Sequence, residues 1–286
     1  MNNIYFSPYK VSTITCNENL GKNININLEI LFNEFRINSS FVWLEILKEN
    51  YEKNKGINPK KKKNKSKAIK NKKCRFDNQI TVIYYFNENY KPNIKIFKNG
   101  NVQITGIKNT EDTKIIISKI IEEIKYIYTI NNEILIECTI SDLESNNFII
   151  RMINTDFKSY IINNDVKSQY LIRRKILHKI LICDLYNNKC SFQPGIYHGV
   201  KLEFFWNINN NENNGICNCT THCFGKGKGK GPNDCKKITV AIFESGSILI
   251  TGGVCFKQID DAYKYITNIL TKHEKEIRKS NIIQID

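Results

Sequence analysis

Apolar and polar positions alternate through two stretches of this chain with the period of a half-buried strand pair. In residues 94–106, Ile94, Ile96, Val102 and Ile104 fall on one side and Lys95, Phe97, Gln103 and Thr105 on the other. In residues 240–252, Val240, Ile242, Ile248 and Ile250 take the first side, leaving Ala241, Phe243, Leu249 and Thr251 opposite. Asn99-Gly100 and Ser245-Gly246 sit where each pattern reverses, and a tight turn there needs a residue that tolerates positive φ. Each stretch therefore predicts a hairpin. They start 146 positions apart and share six identities in thirteen positions: Ile96/Ile242, Phe97/Phe243, Gly100/Gly246, Ile104/Ile250, Thr105/Thr251 and Gly106/Gly252. Such self-similarity predicts one supersecondary unit used twice, and hence a pseudo-two-fold molecule. Phe97 and Phe243, one per copy, stand on the wrong face for a simple core.

Downstream of each hairpin the apolar period lengthens to that of a helix. Ile116, Ile120, Ile124 and Tyr128 predict one helix, with Thr110 placed to cap it, and Ile259, Tyr263, Ile266, Leu270 and Ile277 predict another. Residues 79–86 and 200–206 read as strands ahead of the hairpins. Farther upstream each copy has a strand and then a helix: 11–15 and 28–35 in the first, 148–157 and 171–182 in the second. The order is strand, helix, several strands, helix, twice over, which predicts an α+β fold.

A tandem unit of this kind, with hairpins reading I-F-x-x-G-x-x-x-I-T-G ahead of a helix, resembles the TATA-box-binding protein family. The likeness is clearest over 94–128 and 196–277 and extends more weakly over 11–36 and 148–205. It implies a saddle, a curved antiparallel sheet with helices on its convex face. Residues 1–130 would form the first repeat, with a basic insertion at about 50–75. Residues 131–286 would form the second, with a Cys/Gly/Lys-rich insertion at about 207–236. It also implies that the concave sheet lies in the DNA minor groove, where pairs of phenylalanines wedge between base steps and kink the duplex. Phe97 and Phe243 match one member of each pair. Residues 192–200 resemble the family's Y-E-P-E-L-F-P-G-L, which places Tyr197 at the second wedge position of repeat two. The equivalent in repeat one falls near Gln79, with Phe76 the nearest aromatic. Thr105 and Thr251 match the family's minor-groove threonines.

The departures bear on selectivity. The family's central asparagines match positions near Tyr9 and Ile150, and its phosphate-contacting arginines fall at about Tyr85 and Glu203. Lys95 and Gln103 put polar groups on a groove-facing sheet that the family keeps apolar.

Charge is concentrated in one place. The formal balance is +15, and residues 53–73 hold eleven lysines and no acid. That run, including Lys60, Lys61, Lys62 and Lys63, has nothing to pack and predicts a disordered arm. Such an arm suits phosphates, each neutralised phosphate steepening salt dependence by about 0.9 in log–log slope, and it equally suits a nuclear localisation signal or a plain solvated loop. The high content of Ile, Asn and Lys reads as a nucleotide bias toward A and T, with no chemistry of its own.

Of ten cysteines, four cluster: Cys217, Cys219, Cys223 and Cys235, with His222 a spare ligand. Four thiolates can close a tetrahedral structural zinc site, which can contribute about 10 kcal/mol or more to the folding of a small loop. The expected cofactor is therefore zinc. Glycine-and-lysine-rich cysteine insertions of this sort, and the composition, resemble the divergent TATA-box-binding-protein-like factors of giant DNA viruses. The abundance of thiols predicts a reducing intracellular compartment, a viral factory in host cytoplasm or a nucleus.

His178, His198, His222 and His273 show no catalytic spacing, and neither a Ser-His-Asp set nor a dinucleotide fingerprint appears. The reading is a noncatalytic, DNA-binding transcription initiation factor. Its expected partners are double-stranded DNA, a transcription-factor-IIB-like protein and RNA polymerase, with no membrane and no small-molecule substrate. The alternatives are a protein-interaction scaffold in a viral transcription or packaging complex, and, more remotely, a repair enzyme on a saddle fold.

Overall fold

A computed structural model of the chain describes residues 3–47, 52–59, 78–163, 165–208, 214–217, 227 and 235–279. Its elements are β1 (Tyr5–Phe6), β2 (Lys10–Asn19), α1 (Leu28–Glu34), β3 (Phe41–Leu47), β4 (Glu52–Gly56), β5 (Gln79–Tyr84), β6 (Asn93–Phe97), β7 (Asn101–Ile107) and α2 (Glu111–Ile130). They continue with β8 (Asn146–Asn163), β9 (Val166–Gln169), α3 (Arg174–Ile182), β10 (Lys189–Gln193), β11 (Tyr197–Trp206), β12 (Lys236–Ile242), β13 (Ser247–Gly253), α4 (Phe256–Lys272) and α5 (Glu274–Ile277). The fold is α+β and the strand pairings are antiparallel. Strand, helix, strands, helix occurs twice, as the periodicity predicts. No described helix is long and apolar enough to cross a membrane.

The chain divides into two compact units, Thr13–Arg151 and a second made of Met1–Ser12 with Met152–Asp286. In the Thr13–Arg151 unit the strand order is β2-β7-β6-β5-β3-β4. One sheet face carries Ile80, Val82, Ile94, Ile96, Val102 and Ile104, all fully buried, and α1 and α2 pack on that side. Each such isoleucine contributes about 1.5–3 kcal/mol through the apolar area it removes from water. From α2, Ile116, Ile117, Ile120, Ile124 and Ile127 reach the core. Tyr128, expected among them, is only half-buried, because Ile127 already fills that place. Thr110 sits at the N-cap, but its side chain makes no capping bond; Asn109 Oδ1 takes the Asp112 N–H instead, at 2.9 Å. On the helix flank the buried Glu123 carboxylate receives Arg36 Nε, Arg36 Nη2 and the Arg36 backbone N–H, tying α2 to the segment after α1.

In the second unit the order is β10-β11-β12-β13-β8, with β1 and β9 also paired to β8. Val200, Leu202, Val240, Ile242, Ile248 and Ile250 bury one face under α4, whose Ile259, Ala262, Ile266, Ile269 and Leu270 point inward. Tyr263 stands at the edge of that core, stacking edge-on against Phe157 and donating to the Ser7 carbonyl.

The two hairpins turn identically. Gly100 N–H bonds the Phe97 carbonyl and Gly246 N–H the Phe243 carbonyl, both at 3.0 Å, with φ of +74° and +75° at the glycines. That left-handed geometry is why the motif keeps Gly at both places. A second shared irregularity follows each hairpin: the ladder slips by one residue at Gly106 and Gly252, whose φ values are +96° and +94°.

Candidate nucleic-acid interface

Strand register places every face position of one unit against its counterpart in the other. Thr105 pairs with Thr15, and Thr251 with Asn154, so first-strand positions correspond at an offset of 139. The counterpart of Tyr9 is then Phe148, and neither supplies an amide. Ile80 pairs with Ile96 and Val200 with Ile242, so β5 and β11 correspond at an offset of 120. Tyr85 therefore matches Phe205, and Glu203 matches Ile83. Tyr197 matches Asp77, which lies outside the described residues, as does Phe76.

In the second unit the face away from α4 carries a pair of rings. Phe243 ends the β12 side of the hairpin, and Tyr197 opens β11 beside it; their centroids are 5.8 Å apart at 61°, edge to face. Tyr197 is 40% exposed, an unusual cost for an aromatic pair that no core requires. Gly199 leaves the space between them, since a Cβ there would lie 2.8 Å from Tyr197 Cε1 and 3.2 Å from Phe243 Cε1. Lys201 Nζ lies 5.9 Å from the Tyr197 ring centroid. Behind the rings Arg174 bridges the His198 carbonyl and, at 2.7 Å, Glu244, which also takes Lys279. The Lys279 partner, with help from Arg174, holds the Glu244 carboxyl below its usual value against the opposing effect of burial.

The rest of this face is mixed: Lys201, Ala241, Leu249 and Asp156 form its middle row, and Glu203, Thr239, Thr251 and Asn154 the next. At its edge burial alone would raise Glu203, but ion pairs with Lys189 at 3.0 Å and Lys237 at 3.3 Å bring it below its usual value.

The matching face of the Thr13–Arg151 unit is built differently. Phe97 occupies the Phe243 position and is half-buried, with Gln79 opposite it in place of Gly199. Where the other unit has Ala241 and Leu249, this one has Lys95 paired with Gln103. Gln103 Nε2 reaches the Asn17 amide at 3.4 Å, and Asn19 Nδ2 donates to Asn101 Oδ1 at 2.9 Å. Turning the Asn17 amide replaces that Gln103 contact: its nitrogen then donates to the Cys16 carbonyl at 3.1 Å and its oxygen accepts from Arg151 Nε at 3.2 Å. These residues, with Phe97 and Asn99, line a cleft of about 350 Å³. Thr105 is exposed beside them and Thr251 is half-buried in the other unit. Buried at the cleft's base, Glu18 accepts from Ser145 Oγ; burial raises its carboxyl, and the hydrogen bond offsets only part of that.

The amide row is hidden in a sequence whose high asparagine content makes each residue look ordinary. Asn17 and Asn19 lie two apart on β2, and Asn101 and Gln103 two apart on β7, a spacing that puts all four on one face.

Lys60, Lys61, Lys62 and Lys63 lie outside the described residues, as do Cys219, Cys223 and His222. Cys217 and Cys235 are described, and both pack against Phe205, Cys235 fully buried. His273 bonds Tyr186 at 2.9 Å and Glu276 at 2.8 Å.

The sequence profile of the family "Transcription factor TFIID (or TATA-binding protein, TBP)" matches residues 63–127, which span the first hairpin and nearly all of α2. A TATA-box-binding protein-like protein of Acanthamoeba polyphaga mimivirus is 28% identical over 234 residues, 74% of this chain. The chain is thus similar to the TATA-box-binding proteins over part of its length. It spans 53% of the mimivirus protein's length. Among solved structures, the Methanococcus jannaschii TBP is similar at a TM-score of 0.46 and 17% identity, over 94% of this chain and 99% of that one. The profile match covers Phe97, Thr105 and Gln103, so the polar substitutions on the first face sit inside its most recognisable segment.

Proposed function

We propose that this protein is a noncatalytic factor that binds duplex DNA in the minor groove through the helix-free faces of its two sheets and takes part in transcription initiation. The observation that carries the reading is the pair of exposed Tyr197 and half-buried Phe243, seated over Gly199 at the end of a hairpin, with Phe97 at the same register in the other unit. An aromatic edge held at the rim of a sheet is what a wedge between base steps requires: unstacking costs about a few kcal/mol per step and is recovered through the surface that the bent duplex wraps. Thr105 and Thr251 then reach base edges, and Lys60–Lys63 neutralise phosphate. The exposed Ile115, Tyr126 and Ile130 of α2 provide apolar surface for a transcription-factor-IIB-like protein or polymerase subunit.

In this reading zinc holds the Cys217–Cys235 loop. Its support is that Cys217 and Cys235 come together around Phe205 across a sequence separation that also contains Cys219 and Cys223. Metal analysis of the purified protein would find one zinc per chain, and chelation would lower its melting temperature.

The test of DNA binding is end-to-end energy transfer on a short A/T-rich duplex, with affinity measured in parallel over a salt series for A/T- and G/C-rich duplexes. The expected result is shortening of the duplex, and its loss in the Phe97→Ala/Phe243→Ala variant. Binding of equal strength to any duplex, steep in salt and without bending, would assign the DNA contact to lysines alone and favour the scaffold reading.

A further inference from the structure

We propose that an extension of the second unit's sheet, formed by the end of β8 with β9 and β1, is a phosphate clamp that grips the backbone of duplex DNA beside Phe243, and that the Thr13–Arg151 unit has no counterpart to it. The inference rests on the DNA-binding reading above and names the backbone contact at one end of that surface.

The two copies diverge in length at one connection. Leu20 N–H bonds the Gly100 carbonyl and Ser159 N–H the Gly246 carbonyl; Ile26 N–H bonds the Lys98 carbonyl and Ile172 N–H the Glu244 carbonyl. These bonds correspond pair for pair, yet they enclose five residues in the first unit, 21–25, and twelve in the second, 160–171. The longer connection carries β8 past the point where β2 stops and returns as β9, with Tyr160 paired to Gln169 on one side and to Tyr5 of β1 on the other. Ile161 and Tyr170 bury its helix side, and the opposite side is polar and charged.

On that opposite side the extension prolongs the face that holds Phe243. Phe243 N–H bonds the Ser247 carbonyl at 3.0 Å and Ser247 pairs with Lys158, so the three share a row. Tyr160 follows two residues on, on the same side of β8, and stacks on Tyr5 with centroids 5.8 Å apart at 21°. Lys167 Nζ lies 4.9 Å from the Tyr160 ring centroid, a contact that places the ammonium without neutralising it. Gln169 Nε2 donates to the Ser245 carbonyl at 2.9 Å and ties the extension to the tip of the Phe243 hairpin. Between these elements lies a cavity of about 520 Å³, lined also by Ser7, Lys10 and Asp156, all of the second unit.

The lining has the chemistry of a phosphodiester site. Lys10, Lys158 and Lys167 outnumber the one carboxylate, Asp156, and none of the three makes an ion pair among the described residues. One Asp156 oxygen is already taken by Ser12 Oγ at 2.5 Å. Ser7 Oγ accepts from the Lys158 N–H at 3.1 Å, and Ser245 Oγ donates to Ser247 Oγ at 3.2 Å, which leaves the hydroxyl hydrogens of Ser7 and Ser247 to donate. Ammonium groups supply the charge a phosphate needs, and hydroxyls supply directed donors. In the other unit Asn19 stands where Lys158 does, and it is bonded to Asn101. Duplex backbone is favoured over an acidic protein segment because the site continues the row on which Phe243 stands.

The experiment uses the full chain with Lys158→Gln, Lys167→Gln and the two combined, and with Lys125→Gln on α2 as a control of equal charge. Affinity for an A/T-rich duplex is measured over a salt series, and again with one phosphate at a time replaced by an uncharged methylphosphonate. A lysine that neutralises one phosphate contributes about 0.9 to the log–log salt slope, so the combined variant should lower the slope by about 1.8 and Lys125→Gln should leave it unchanged. At the contacted phosphates a methylphosphonate should weaken the unaltered protein by about twofold to fivefold and the combined variant not at all, while bending of the duplex persists in both. An unchanged slope in the combined variant, or a methylphosphonate penalty that survives in it, overturns the inference and leaves the minor-groove reading standing. So does a combined variant that loses binding to poly-glutamate while holding duplex as before, which would assign the site to an acidic protein segment. If the unaltered protein does not bend the duplex and Phe97→Ala/Phe243→Ala binds as tightly as it does, the minor-groove reading itself fails, and this placement of the clamp with it.

Discussion

The two sheet faces share a hairpin, a glycine turn, a ladder slip and a phenylalanine in register, yet one carries a ring pair with Ala241 and Leu249 between Lys201 and Asp156, and the other Lys95, Gln103 and asparagines. The shared features are those that backbone geometry dictates; the differing ones are side chains that no core demands. A duplicated unit keeps what folding requires in both copies and is free to vary what only a partner reads. The differences between the faces, more than the likeness, therefore carry functional information.

The turn glycines test the first half of that contrast and should give the largest effects. Both have nearly the same φ, so an alanine at either meets the left-handed penalty of about 1–2 kcal/mol. Their seats differ: a Cβ on Gly246 would fall 2.4 Å from Ser159 Oγ and 2.6 Å from the Tyr170 carbonyl oxygen, whereas on Gly100 it would meet the Ile24 side chain at 2.7 Å. Backbone cannot move aside as a side chain can. Gly246→Ala should destabilise by about 3 kcal/mol or more, and Gly100→Ala by about 2 kcal/mol, measured by urea unfolding. Equal losses would mean that the turn alone sets the cost.

The ring pair tests the second half. Phe243→Ala removes one wedge and leaves Tyr197 without its neighbour, and should weaken A/T-rich duplex binding by about 2 kcal/mol, against about 1 kcal/mol for Phe97→Ala. Gly199→Ala places its Cβ between the rings and should reproduce part of the Phe243→Ala loss without disturbing the core, since φ there is unexceptional. If Phe97→Ala proves the costlier change, the Thr13–Arg151 unit dominates binding and the asymmetry runs the other way.

Much of this was legible in the chain itself. The period-2 alternation of 94–106 and 240–252 places Phe97 and Phe243 on the helix-free side because strand geometry leaves no other choice. Strands β3 and β10 carry weaker patterns and emerge only as partners in the sheets. Tyr197 could be located by motif, but its packing against Phe243 depends on Gly199, a contact between strands whose register no local pattern specifies. The asparagine row was hidden for another reason: composition made each Asn look ordinary, and only the β2–β7 pairing shows that Asn17 faces Gln103 and Asn19 faces Asn101.

Acid titration gives the smallest effects but sharpens the comparison most, because its sign differs between units. Glu18 in the Thr13–Arg151 unit is raised above 4.5 by burial, so its charged form opposes folding at neutral pH and that opposition fades as pH falls through its folded pKa. In the other unit Glu203, despite burial, and Glu244 are held below 4.5 by lysine and arginine partners. Their stabilisation is complete above about 4.5 and is lost as pH drops through their lowered values. The chain's two tryptophans report on the units separately, Trp43 in the first and Trp206 in the second. In Trp206→Phe, the Trp43 unfolding midpoint should rise slightly between pH 7 and 4.5, and Glu18→Gln should flatten that rise. In Trp43→Phe, the Trp206 midpoint should hold over the same range and fall below it, less steeply once Glu203→Gln is added. Coincident curves for both tryptophans at every pH would mean that the units unfold as one cooperative body, with each carboxylate acting on the whole chain.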